Sequence, residues 1–130
     1  MNFKTLMIIK SLVCLFFGIL LIAIPDTLFS ILGATLAAGG MFAAREYSAA
    51  MFGNMLLCWF AKDAAESEAR KAIIIALFVY DLIAFIVTTA TVIAGVLNPL
   101  GWFIVLVYLF FTIGFGYFLV KQPSVKVAHV

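Results

Sequence analysis

Charge is what this sequence has least of: six acids and eight bases in 130 residues, 11% of the chain, against about a quarter in soluble domains. A water-soluble domain of this size has to coat itself with polar side chains, and so few cannot cover it. Most of the surface must therefore face lipid. The net charge of +2 is scattered along the chain, which excludes a nucleic-acid partner, since such proteins gather Lys and Arg on one face. Histidine occurs once, at His129, and cysteine twice, at Cys14 and Cys58, in separate apolar runs with no CxxC pair. Metal, haem and thiol redox centres need those residues at close spacing or in number, so no metal and no cofactor is expected. No nucleophile stands beside a base, so no catalytic residue is assigned and the chain is expected not to be an enzyme.

What the sequence has in abundance is apolar length. The chain is 67% apolar, with a mean hydropathy of +1.27. Four stretches, Leu6 to Ile24, Ala38 to Ala61, Ala72 to Leu97 and Trp102 to Val120, each supply the about 20 helical residues that cross a hydrocarbon layer of about 30 Å. Lys4 and Lys10 ahead of the first stretch look like the start of a signal peptide. Ile24-Pro25-Asp26-Thr27 offers no small-x-small cleavage pattern, however, and the span is expected to be retained. Lys10 lies one turn inside it and is expected to snorkel to the headgroups.

The connections differ in character. Pro25 to Gly33 reads as a short helix lying in the interface, capped by Asp26 or Thr27, ended by Gly33, and apolar through Leu28, Phe29, Ile31 and Leu32. Lys62 to Lys71 is an aqueous loop. Asn98-Pro99-Leu100-Gly101 is a tight turn, with Trp102 after it as an interfacial anchor. If four spans alternate, Lys4, Lys10, Lys62, Arg70, Lys71, Lys121 and Lys126 fall on one side, which the positive-inside rule makes cytoplasmic. The expected fold is thus all-α: one domain over 1–130, an up-down transmembrane four-helix bundle with a short interfacial helix between spans 1 and 2. It would sit in the inner (plasma) membrane with both termini cytoplasmic.

Polar residues inside spans are the candidate site. An ionisable group at the bilayer centre costs at least about 2.5–3.5 kcal/mol and needs a partner, water or an interior position. Arg45, Glu46 and Asn54 in the second span and Asp81 in the third are such residues. A rise of about 1.5 Å per residue puts Asn54 and Asp81 at one depth, so a hydrogen bond between them is the simplest pairing. Asp81, Ala84, Thr88, Thr91 and Gly95 share a stripe of the third span, facing a small-residue surface of the second made by Ala44, Ser48, Ala49 and Gly53. The stripe reads as an interhelical seam, or as an ion or substrate path. Arg45, Glu46, Asn54, Asp81 and Thr88 are the binding candidates, while the scattered tyrosines and phenylalanines read as lipid-facing or bundle-filling.

The run Ala44-Arg45, then Leu56-Leu57-Cys58-Trp59-Phe60-Ala61-Lys62, a Glu-containing loop ending Ala69-Arg70-Lys71, and Gly95-Val96-Leu97-Asn98-Pro99-Leu100-Gly101-Trp102 is similar to a widespread group of bacterial four-span membrane proteins of unknown function. The resemblance implies the architecture over nearly the whole chain and no activity. Size and span count also resemble the small multidrug-resistance transporters, but those carry an acid in the first span and this chain has none there. The vitamin K epoxide reductase type needs a CxxC, which is absent. The expected role is a non-enzymatic accessory or scaffolding subunit, in a homo-oligomer or beside a larger membrane-protein partner. The alternative is a binding or transport protein for a small or lipophilic ligand.

Overall fold

The computed structural model describes residues 1–121, so Lys126 and His129 of the charge and ligand readings lie outside the described residues. Among the described residues the chain is all-helical: α1 Phe3–Ala23, α2 Pro25–Ile31, α3 Ala38–Ala61, α4 Glu68–Ile93 and α5 Gly101–Lys121. Three of these, α1, α4 and α5, are long and apolar enough to cross a membrane. α3 is as long, 24 residues or about 36 Å, but Arg45, Glu46 and Asn54 dilute its apolar character. The outward surface is apolar where the sequence leads one to expect lipid: Phe42, Ile83, Phe103 and Ile113 are all more than half exposed.

Local chemistry sets the helix ends, and it moves three of the expected boundaries. The side chain of Asn2 accepts from Thr5 N at 2.8 Å and starts α1 a turn earlier than its first apolar residues suggest. Ser67 caps α4 by accepting from Arg70 N, and Glu68 complements the helix dipole in the first turn. The expected aqueous loop therefore shrinks, its last residues becoming helix. α4 stops at Ile93 because Gly95 takes φ +78°, with Val96 N bonded to Thr91 O and Gly95 N to Val92 O. Gly95 thus leaves the stripe assigned to it. α2 begins at Pro25, directly after the corner at Ile24, with no side-chain cap; Asp26 sits in its first turn instead of capping it.

α1 packs along α3 and α4 packs along α5, with α1 touching α5 to join the two pairs. At Gly18 an added Cβ would lie 3.3 Å from the Phe52 ring, so α1 and α3 approach closely there. Ser11 Oγ donates to Met55 O at 3.0 Å across the same contact. The seam expected from Ala49 and Gly53 is not formed: both are exposed and nothing lies within 4 Å of a Cβ on Gly53, whereas Ala44 and Ser48 are buried. A helix of 3.6 residues per turn cannot present all four to one neighbour.

The connections fix the two ends of the bundle. At one end Asn98 N donates to Leu32 O (2.8 Å) and Asn98 Nδ2 to Ile31 O (2.9 Å), so the turn before α5 is bonded to the chain leaving α2. At the other, Lys4 pairs with Asp63 at 2.8 Å, and Lys4, Lys62, Arg70 and Lys121 line one shared cleft. These four of the bases therefore gather at one end of the described chain.

Candidate functional site

Lys10 and Asp81 form the centre of the site. Lys10 Nζ donates to Asp81 Oδ1 at 2.5 Å, with side chains 2% and 0% exposed. Both expectations for these residues are corrected. Lys10 does not snorkel, because the Asn2 cap places it two turns inside α1, where the ammonium is held by the buried Asp81 carboxylate. Asp81 takes Lys10 and not Asn54 as its partner, because α3 meets α4 at this level through Tyr47 and Tyr80, which leaves Asn54 about two turns further along α3, where it is half-buried. The ammonium also lies 4.5 Å from the Phe111 ring centroid and 4.9 Å from that of Tyr80, which stabilise it as a cation–π cage. Asp81 Oδ2 is buried with no hydrogen-bond partner among the described residues.

Above the ion pair, three tyrosines converge from three helices. Tyr47 of α3 bonds through its hydroxyl to Tyr108 of α5 at 2.7 Å and to Tyr80 of α4. Lys10, Asp81 and the three tyrosines all lie within about one turn of the midpoints of their helices. A tyrosine hydroxyl turned in among apolar helices needs a polar partner. Each ring reads alone as bundle filling, so the convergence is invisible in the sequence; the only signal was that requirement, applied to three mid-span tyrosines at once. Cys14 lies on the same wall and is a free, buried thiol.

Lys10, Cys14 and the three tyrosines open onto a cavity of about 470 Å³. Its walls come from every helix: Cys14, Phe17 and Leu21 of α1, Leu28 and Phe29 of α2, Tyr47 and Met51 of α3, Tyr80, Ala84 and Thr88 of α4, and Tyr108 and Phe111 of α5. Apart from the hydroxyls, Lys10 and Thr88, the lining is hydrocarbon, ring and thiol. Of the candidates read from the sequence, Thr88 lines the cavity and Asp81 pairs with the lysine at its polar end. Ala84 of the stripe lines it as well, so that face of α4 borders a space and not only a packed seam. Arg45 and Glu46 are exposed on the outside of α3, and Asn54 is not part of the wall.

The arrangement is an apolar chamber with a fixed polar end, the form in which ligand sites are generally built, and its volume falls in the usual range of about 300–1,000 Å³. A buried pair of opposite charges adds little stability over a hydrocarbon core. No protein-family model, no curated protein and no solved structure matches the chain.

Proposed function

We propose that the chain is a four-span integral membrane protein that holds a small lipophilic molecule in the chamber between its helices. The observation that carries this is the chamber of about 470 Å³, polar at its mid-depth end of Lys10, Tyr47, Tyr80 and Tyr108 and, Thr88 apart, apolar from there to α2. Reading α3 as the fourth span is supported by its length and by its packing along α1, which is itself apolar enough to cross. α2 then lies in the interface, closing the chamber with Leu28 and Phe29. Trp102 at one end and Trp59 and Tyr117 at the other mark the headgroup levels, the latter two under Lys62 and Lys121. With the loop bases at that second end, both termini are cytoplasmic in an inner membrane.

The test is retention. Protein purified gently from native membranes should release a stoichiometric lipophile on solvent extraction, and Ala84→Phe, which fills the chamber, should purify without it. Equal recovery from the wild type and the variant would remove the chamber as the binding place.

A second reading, a subunit in a homo-oligomer or beside a membrane-protein partner, is favoured by one observation. Arg45 and Glu46 are exposed on α3 without a side-chain partner among the described residues, next to the small face of Ala49, Ala50 and Gly53. Charges facing lipid are costly, and a second copy brings both opposite charges and close backbone approach. Gly53→Leu should then lower the mass of the detergent-solubilised particle without destabilising the protomer.

A further inference from the structure

We infer that the chamber selects a neutral lipophile carrying an oxygen acceptor, such as a ketone or quinone carbonyl, at one end. This deepens the binding reading and rests on it.

The inference follows from counting protons at the polar end. Three hydroxyls joined by two hydrogen bonds, Tyr47 with Tyr80 and Tyr47 with Tyr108, use two of their three protons whichever way each bond runs. One hydroxyl proton is left to donate. Lys10 spends one of its three N–H groups on Asp81 and turns the ammonium toward the faces of Tyr80 and Phe111, which accept only weakly. Thr112 Oγ1, one turn from Tyr108, donates back to the Tyr108 carbonyl and offers no relief. The helix carbonyls along the wall are engaged in their own ladders, and the unpartnered buried carboxylate oxygen, Asp81 Oδ2, is not on the wall. Each hydroxyl oxygen keeps a lone pair but already takes part in a bond, whereas Lys10 brings N–H groups and no acceptor to the wall, so protons are what the site leaves unpaired. A buried donor without a partner is penalised, so the occupant that completes the site brings an acceptor.

Charge narrows the class further. Lys10 and Asp81 cancel, so the polar end is neutral overall. A carboxylate head would bring in a charge with no counter-charge of its own, and an ammonium head would face Lys10. A carbonyl accepts the hydroxyl proton and adds no charge, and its hydrocarbon remainder fills the walls of Phe17, Leu21, Leu28 and Met51.

The experiment uses the full chain in lipid nanodiscs and three probes, each compared with empty nanodiscs by equilibrium dialysis: decyl-benzoquinone, dodecanoate and dodecane. Decyl-benzoquinone should bind saturably, about tenfold or more tighter than either of the others, a typical worth of one well-made buried hydrogen bond. Its carbonyl infrared band should move to lower frequency on binding, a readout that needs no variant. The triple substitution Tyr47→Phe, Tyr80→Phe, Tyr108→Phe keeps the ring shapes and removes the hydroxyls, and should abolish both the preference and the band shift. Equal binding of dodecane and the quinone with an unmoved carbonyl band would overturn the head-group inference while leaving the chamber as a site for hydrocarbon. Preference for dodecanoate would overturn the neutral class. No saturable binding of any probe would overturn the inference together with the reading beneath it.

Discussion

At the scale of single residues, the identity of a partner reverses what a substitution does. Held by Asn54, Asp81 would lose only an expensive charge on conversion to Asn, and stability would hold or improve. Held by Lys10, the same change leaves a buried ammonium without its counter-charge. Asp81→Asn and Lys10→Met should therefore each destabilise the protein by about 3–5 kcal/mol, whereas the double change Lys10→Met with Asp81→Leu should be close to neutral or stabilising. Unfolding in detergent, run as a double-mutant cycle, measures all three, and unchanged stability in Asp81→Asn would mean that the pair does not form. A solvent-exposed contrast is Asp63, whose carboxyl the Lys4 ammonium holds below the usual carboxylate range. Because that pKa is lowered, the contact acts above the ordinary carboxylate range and fades as pH falls through the lowered value. Lys4→Ala should move the Asp63 titration, followed by NMR, upward.

At the scale of elements, the connections carry more of the specification than their length suggests. Gly33 ends α2 with φ +81°, and a Cβ there would stand 3.0 Å from Asn98 Cβ, against the turn that α2 is bonded to. Gly33→Ala thus meets strain and a clash together, and should cost about 1 kcal/mol or more. Gly53 of α3 has helical geometry and open space around it, so Gly53→Ala should stabilise the protomer by about 0.5–1 kcal/mol. Thermal unfolding of the two variants side by side checks the signs, and a stabilised Gly33→Ala would contradict the turn geometry. Glycine, proline and asparagine made these connections legible in the sequence. The exact end of α4 was not, because Ala94 and Val96 suit a helix as well as its neighbours do, and it is Gly95 that takes the left-handed turn.

For the whole molecule, the arrangement of spans decides where each end lies. With four spans, a reporter fused after Lys62 and one after Lys121 should both read cytoplasmic, while single cysteines placed at Asp26 and Asn98 should react with an impermeant thiol reagent from outside. If only the three most apolar helices crossed, α3 would lie along the surface and the two ends of the described chain would fall on opposite sides. An external reading after Lys121 would establish that arrangement and remove the four-span reading. The bond from Asn98 to Leu32 places both expected external connections at one end, which is why the two cysteines should react alike.

The sequence by itself determined the lipid environment, the helical class, and the near-complete extents of α1, α3 and α5, since hydropathy and span length act locally along the chain. It also pointed to Asp81 and Thr88, because a polar residue in an apolar run is conspicuous wherever it ends up. It misplaced the partners. Lys10 is near enough to the chain's start to read as an interface residue, and Tyr47, Tyr80 and Tyr108 are unremarkable one at a time. Rotation of each helix about its axis decides which of these meet, and packing of one helix on another sets that rotation; hydropathy does not. Only the tertiary structure therefore turned Arg45, Glu46 and Gly53 outward, brought Lys10 to Asp81, and left a chamber beside the stripe that reads from the sequence as either a seam or a path.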